Sequence, residues 1–413
     1  MMTKTSNPGL RTCRTLVLIL VLSATAGCGK MFRGKDNADP PAKLTEFTPE
    51  IKITRVWERD TGAGTGKLTL RLKPYIYNKW VYTADYKGRL TALDLKKGSV
   101  RWQVSTKKKI ASGPIANHKV VVVGTSDGEV IAYSAKNGKQ IWNAPATSEV
   151  LASPVISGFV VIARAIDGQI VGLDLMTGKR LWIYGKPAPI LTVRGNSAPV
   201  VSFDNVFVGF DTGKIVNLLA KNGAVAWEKT IAMMSGRTEL DRLVDIDSDP
   251  LIYENTLYVS AFQRQLVAID LKSAEYRWNR KISSFKTMAA DARRLYVTDA
   301  NSHVWAFDRK TGTPLWKQDK LTNRSVTGPA IVGDYIVVAD YKGYLHWLSK
   351  KDGHFVARVR GDSKGYLEAP VSLGSMIVVM GRGGELAMYR LGGKAAVRKK
   401  KKNKSPKKKA KKK

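Results

Sequence analysis

Cysteine is nearly absent from this chain: there are two in 413 residues, Cys13 and Cys28. That scarcity excludes a disulfide framework, a cysteine-rich zinc site and a C-x-x-C-H haem attachment. Histidine is almost as scarce. His118, His303, His346 and His354 are the whole supply, and none sits in an H-E-x-x-H or comparable ligand spacing. No G-x-S-x-G nucleophile elbow occurs. The stretch Gly62-Ala-Gly-Thr-Gly66-Lys67 has the wrong register for a phosphate loop, and Leu68 stands where the hydroxyl belongs, so it reads as a flexible loop. Long apolar runs are missing too. The longest, residues 16–22, is far too short to span a bilayer as a helix. No long segment repeats its apolar residues every 3.6 positions, which leaves little room for helices. These absences predict no catalytic residues, no cofactor and no metal. Acidic residues are in deficit: 34 Asp and Glu stand against 69 Lys and Arg, giving a net charge of +35.

The N-terminus has the pattern of an export signal. Lys4, Arg11 and Arg14 precede the apolar run, and the small residues Ser23-Ala24-Thr25-Ala26-Gly27 follow it. Thr25-Ala-Gly-Cys28 resembles the lipobox of bacterial lipoproteins, with Thr25 where that motif usually has Leu. The resemblance implies cleavage before Cys28, a diacylglycerol on its sulfur and acylation of the new N-terminus. Gly29 lacks the aspartate that resembles an inner-membrane retention signal, and so favours the outer membrane. The expected organisation is a signal over residues 1–27, a lipidated linker over 28–52, a folded body over 53–391 and a polybasic tail over 392–413.

The body is a repeat. Gly88-x-x-x-x-x-Asp94-x-x-x-Gly98-x-x-x-Trp102 recurs as Gly128 to Trp142, Gly168 to Trp182 and Gly213 to Trp227, and in weaker copies ending at Trp278, Trp316 and Ala357. Asp127-Gly128 and Asn137-Gly138 supply the positive φ that tight hairpin turns need, and apolar runs such as 120–125 lie between them. Four short antiparallel strands per unit of about 40 residues read as a β-propeller blade. Trp57 has no upstream copy, while the last unit, from Gly384, runs into lysines before reaching a tryptophan. The segment 54–57 is therefore predicted to supply the missing outer strand of that last blade. This makes an all-β, eight-bladed propeller closed by its own N-terminal strand, which leaves no open sheet edge. The repeated Trp is predicted to pack between neighbouring blades.

Function is sought where the repeat breaks. Spacings from Trp to Trp of 45 and 51 residues, from 182 to 227 and from 227 to 278, exceed the usual 40 in two consecutive blades. Both insertions follow an outer strand, so both emerge on one face as neighbours. The first carries Leu191, Val193 and Arg194; the second carries Glu239, Asp241, Arg242, Asp245 and Asp247. An apolar tip with an Arg beside a carboxylate cluster is interface composition. A plainer reading has Arg194 pair with one of the carboxylates to tie the loops together.

With the lipobox and the blades, Arg194-Gly-x-Ser-Ala-Pro199 and Thr238-Glu-x-Asp-Arg-Leu-x-Asp-x-Asp247 resemble the BamB family, the propeller lipoproteins of the outer-membrane β-barrel assembly machine. The loop at 62–66, Gly343-Tyr-Leu-His-Trp347 and Glu368-x-Pro370 match as well, and the resemblance spans residues 28 to about 391. It implies a non-enzymatic subunit on the periplasmic face of the outer membrane. Its loops would bind the periplasmic domains of the central subunit, BamA, alongside the machine's other lipoproteins, and so aid folding and insertion of outer-membrane proteins. Leu191, Val193, Arg194, Asp245 and Asp247 are the positions implicated by motif. Two other classes fit less of the sequence. Ala-x-Asp-x-x-x-Gly-x-x-x-Trp also resembles the blade motif of periplasmic quinone-dependent dehydrogenases, but the long loops of a cofactor cavity are missing. A generic envelope scaffold would share the fold and differ in partner.

The tail, residues 394–413, holds thirteen Lys and Arg and no acid. Without it and the signal the remainder still carries +19. Export makes nucleic acid an unsuitable partner. Anionic lipid headgroups, lipopolysaccharide phosphates or an acidic partner suit such a tail better, and a solvated arm with no partner is the alternative.

Overall fold

In the computed structural model the described residues are 39–185, 197–232, 245–261 and 265–395. All regular structure among them is β. Thirty-two strands form eight separate four-stranded antiparallel sheets, and residues 75–105, 115–145, 155–185, 200–230, 251–280, 289–318 and 330–360 make blades 1 to 7 in chain order. Within each blade the strands, called A to D here, pair in sequence order. The A strands of successive blades touch and line the centre. Blade 8 takes three strands from 371–394 and its outer strand, Ile51–Asp60, from the other end of the chain. That strand pairs antiparallel with Glu385–Lys394, placing Trp57 opposite Met388. The ring thus closes as its repeat phase predicts, with the outer strand starting at Ile51.

Blade-to-blade contact explains the repeat residue by residue. The indole nitrogen of Trp102 donates to the Ala135 carbonyl of the next blade at 3.1 Å, and that of Trp142 donates to Leu175 at 2.9 Å. Trp57, Trp182, Trp278 and Trp316 do the same to Leu95, Ala220, Arg309 and Lys350. Each of these six rings lies on a glycine of the neighbour's C–D turn. A Cβ built on Gly98, Gly138, Gly178, Gly223, Gly312 or Gly353 would come within 2.6–2.7 Å of the indole, and all six have positive φ. The glycine therefore serves two needs, the left-handed turn and the close approach of the ring. Each joint gains roughly 1 kcal/mol from the hydrogen bond, besides the burial of a large aromatic. The exceptions fit this logic. Blade 5 has Ala274 at the glycine position, and the Trp227 indole nitrogen facing it has no partner. Blade 7 has Ala357 in the Trp slot, and its neighbour has chain ends in place of a C–D turn.

Two segments expected to be loose are held. Ala42 donates to the Thr322 carbonyl and Glu50 to that of Val356. Between them Phe47 stacks on Phe355 at 5.5 Å, and Leu44 joins the same core. Residues 42–50 thus run along the outer edge of blade 7. The glycine-rich loop at 62–66 bridges blades 8 and 1: Thr61 donates to the Gly384 carbonyl, and Tyr86 donates to that of Gly64.

Candidate functional site

Strand order fixes the two faces. In blades 1, 2, 4, 7 and 8 the residue after the D strand donates to the glycine of its own blade's B–C turn, as Thr106 does to Gly88 and Ile231 to Gly213. The D-to-A connections and the B–C turns therefore share one face, called the loop face here. Both insertions spring from it, at Gly185 and Ser197 between blades 3 and 4, and at Ala232 and Asp245 between blades 4 and 5. Leu191, Val193, Arg194, Glu239, Asp241 and Arg242 lie outside the described residues, as do Cys28 and the tail beyond Ala395.

What the structure describes is the base on which the insertions stand. Asp245 and Asp247 are brought together with Asp211 of the blade 4 B–C turn. Carboxylate oxygens of the three lie within 4.8 Å of one another. All three are buried, Asp245 at 1% and Asp247 at 6% exposed. Arg164 supplies a counter-charge. Its Nη2 donates to Asp211 Oδ1 at 2.7 Å and its Nη1 to the Ser197 carbonyl at 3.3 Å, so it ties the end of the first insertion to blade 4. Burial, reinforced by Asp245 and Asp211, pushes the Asp247 carboxyl up to about 7, while Arg164 and Arg71 oppose the shift. A cluster balanced by an arginine and a held proton has less need of a cation than three bare carboxylates would. Its chemistry suits an anchor better than a ligand cage.

A second anchor crosses the ring. Arg71, in the lead-in to blade 1, donates through Nη1 and Nη2 to both oxygens of Asp249 at 2.6 and 2.8 Å, and through Nε to Glu368 at 3.2 Å. Asp249 precedes blade 5, diametrically opposite blade 1 in an eight-bladed ring, and Glu368 precedes blade 8. The guanidinium therefore sits across the central channel on the loop face. Burial alone would lower its pKa, but Asp249 and Glu368 outweigh it and hold the charge more firmly than usual. Asp249 Oδ1 also accepts from Ala198 N at 2.7 Å. One carboxylate thus links the end of the first insertion, the end of the second and the centre of the ring.

Sequence reasoning placed Asp245 and Asp247 correctly between blades 4 and 5, but read them as surface charge. The structure turns both inward. It missed Arg71, Arg164 and Asp211 altogether. The signal available for Arg164 was a charge closing the apolar strand Val160–Arg164, buried throughout. Three of the histidines meet carboxylates: His346 is fully buried against Asp340, His303 pairs with Asp299, and His354 pairs with Asp352 and Glu50. They are parts of the scaffold.

Comparison with known proteins places this architecture. A family profile described as outer membrane protein assembly factor BamB matches residues 52–111 and 86–318. The outer membrane protein assembly factor BamB of Alkalilimnicola ehrlichii is 44% identical over 92% of this chain and 97% of its own length. That of Pseudomonas aeruginosa is 44% identical over 90% and 97%, and that of Escherichia coli 33% over 90% and 97%. The crystal structure of BamB from Moraxella catarrhalis superposes with a TM-score of 0.75 at 27% identity, covering 82% of this chain and all of that one. A europium-containing methanol dehydrogenase, 13% identical with a TM-score of 0.68 over 82% of this chain and 93% of that one, shares the fold alone. On profile, identity and coverage together, the chain belongs to the BamB family of outer membrane protein assembly factors.

Proposed function

We propose that this chain is a non-enzymatic, lipid-anchored subunit at the periplasmic face of the outer membrane. It binds the periplasmic domains of the barrel-assembly subunit BamA through the two insertions of the loop face, and so aids the folding and insertion of outer-membrane proteins. The observation that carries this reading is the shared base. Two neighbouring insertions, in consecutive blades, rejoin the ring at points held by Arg164, Asp211 and the Arg71–Asp249 pair. Fixing the ends of a loop lowers the entropy that ordering it costs on binding. Leu191, Val193 and Arg194 then provide direct contact, with Glu239, Asp241 and Arg242 from the second insertion. Asp245 and Asp247 act from beneath, as supports. Cys28 carries the lipid, and the machine's other lipoproteins are neighbours.

The test is capture of the barrel-assembly subunit from membrane extract by the non-acylated chain, beside Leu191→Ala/Arg194→Ala and Asp245→Asn variants. The reading expects the first variant to lose capture while keeping the parent melting temperature. It expects Asp245→Asn to weaken capture and lower the melting temperature together. Undiminished capture by Leu191→Ala/Arg194→Ala would sink the assignment of the loops.

A further inference from the structure

The face opposite the loops is built from the A–B and C–D turns, and it has a pattern of its own. In each blade the C–D turn donates to the A–B turn: Leu95 to Lys79, Ala135 to Lys119, Leu175 to Phe159, Ala220 to Asp204 and Leu271 to Asn255. One solvent-facing slot of the C–D turn is lysine in six of the seven complete blades, at Lys96, Lys136, Lys221, Lys272, Lys310 and Lys351. All six are exposed, and none makes an ion pair among the described residues. Blade 3 alone has an apolar residue there, Met176, 41% exposed.

The same blade and its neighbour are also exceptional at the A–B turn. Phe159 at the tip of blade 3 is 73% exposed, and Phe203 at the tip of blade 4 is 93% exposed. The other A–B tips carry residues such as Lys79, Lys119, Asn255 and Arg293. The two phenylalanine turns touch, since Ser157 Oγ donates to the Phe203 carbonyl at 3.2 Å. Phe203 is held at φ +52 and borders a surface hollow of about 480 Å³ with Leu271 and Lys272. Phe159, Met176 and Phe203 therefore form one apolar prominence, with Lys136, Lys221 and Lys272 on the flanking turns. Acids are sparse beside it. Asp174 and Asp270 are occupied capping their own turns, Glu254 pairs with Arg309, and Asp204 is a further acid on the blade 4 turn. The chain also leaves the ring on this face: Leu391 donates to Ser375 of the blade 8 A–B turn, and Ala395 donates to Glu50. The polybasic segment 394–413 starts there.

We propose that this turn face binds the surface of an anionic phospholipid bilayer, with Phe159, Met176 and Phe203 entering the headgroup boundary and the lysine slots holding the lipid phosphates. Apolar side chains on protruding tips, ringed by unpaired lysines, suit a soft anionic surface better than a protein groove, which calls for concave packing. A tail of the same charge, starting from this face, adds to the attraction and is screened by salt in the same way. The inference rests on the turn pattern and is independent of the loop reading, because the ends of the insertions lie on the other face.

Vesicle co-sedimentation tests it, using non-acylated chains of residues 29–413 and 29–395. The shorter chain keeps every strand of the closed ring. Vesicles are phosphatidylcholine alone, or with about one-third phosphatidylglycerol. The expected result is that both chains bind the anionic vesicles and neither binds the neutral ones, with binding falling as salt rises. Phe159→Ser/Phe203→Asn should weaken anionic binding by about tenfold or more, since partition follows the buried apolar area. Asn tolerates the positive φ at 203, and unchanged near-ultraviolet circular dichroism and melting temperature confirm that the variant is folded. Met176→Lys, an exposed change that restores the slot pattern of the other blades, should weaken binding in the same direction. Equal binding by the double variant would overturn the proposal. So would binding by residues 29–413 with none by 29–395, which would assign the lipid contact to the tail alone.

Discussion

The joint between blades 4 and 5 permits a test of the whole packing argument by a substitution that should strengthen the protein. Ala274 occupies its turn as the glycines do: its amide donates to the Asp270 carbonyl at 3.0 Å, as that of Gly98 does to Asp94 at 2.8 Å. Its φ of +57 costs an alanine roughly 1–2 kcal/mol. A methyl at this point stands where six other joints bring an indole, and here the Trp227 nitrogen is buried without a partner, at a cost of about 1–3 kcal/mol. Ala274→Gly removes the backbone strain and lets Trp227 close onto the Leu271 carbonyl, the equivalent of the acceptors used elsewhere. Against this stands roughly 0.4–1 kcal/mol of added freedom in the unfolded chain. The net expectation is a gain of about 1–5 kcal/mol, seen as a raised melting temperature. The reverse change, Gly178→Ala, sets a methyl 2.7 Å from the Trp142 ring and should lower it. A double-mutant cycle isolates the hydrogen bond. Trp227→Phe should cost little more than its lost ring area in the parent, and about 1 kcal/mol more when combined with Ala274→Gly. No coupling in that cycle, or a lower melting temperature for Ala274→Gly, would refute the account of the joint.

Asp247 predicts a pH effect of definite sign. Its folded pKa of about 7 lies above the unfolded value, so the fold holds an extra proton between about pH 4 and 7, and stability falls as pH rises through that window. Asp247→Asn should therefore raise the unfolding free energy at pH 8, read from urea titration, by no more than about 4 kcal/mol, and change little at pH 4. Arg71→Met leaves Asp249 and Glu368 without their shared cation. Because the arginine side chain is 22% exposed, the loss should be about 2 kcal/mol, below the usual cost of breaking a fully buried pair, and a thermal melt reads it. Removing residues 1–60 strips blade 8 of its outer strand and Trp57 of its joint, so light scattering should detect association through the opened edge.

The ring was legible in the sequence because its determinants are local. A positive-φ turn demands glycine at a fixed distance from a tryptophan, and that pair recurs often enough to give the phase, and even to show that Trp57 belongs to the last blade. The anchors of the loop face were not legible, because each joins residues far apart in the chain. Arg164 meets Asp211 across 47 positions, Arg71 meets Asp249 across 178, and Arg71 meets Glu368 across 297. A run of aspartates reads as solvated charge unless the arginine that permits its burial is known. Residues 42–50 were opaque for the same reason, since Phe47 finds Phe355 only once blade 7 exists.

The Ala357 slot of blade 7 is accounted for by the chain ends beside it, and several of the remaining places where the repeat fails fall in one arc. Blade 5 has Ala274 for glycine and leaves Trp227 without its hydrogen bond, and this same joint follows the longer insertion. Blade 3 alone gives up its turn lysine, and it does so beside Phe159. Selection for the ring alone would favour glycine at 274 and a charged residue at 176, as the other blades have. Departures that cost stability or expose apolar surface, gathered in blades 3 to 5, are what the contacts proposed for that arc would account for. The two faces of the arc differ in chemistry. One carries long insertions on buried ionic anchors, which suits a shaped protein partner, and the other carries short turns with phenylalanine and lysine, which suits a surface without shape. A rigid wall of packed strands between them allows both to be engaged at once.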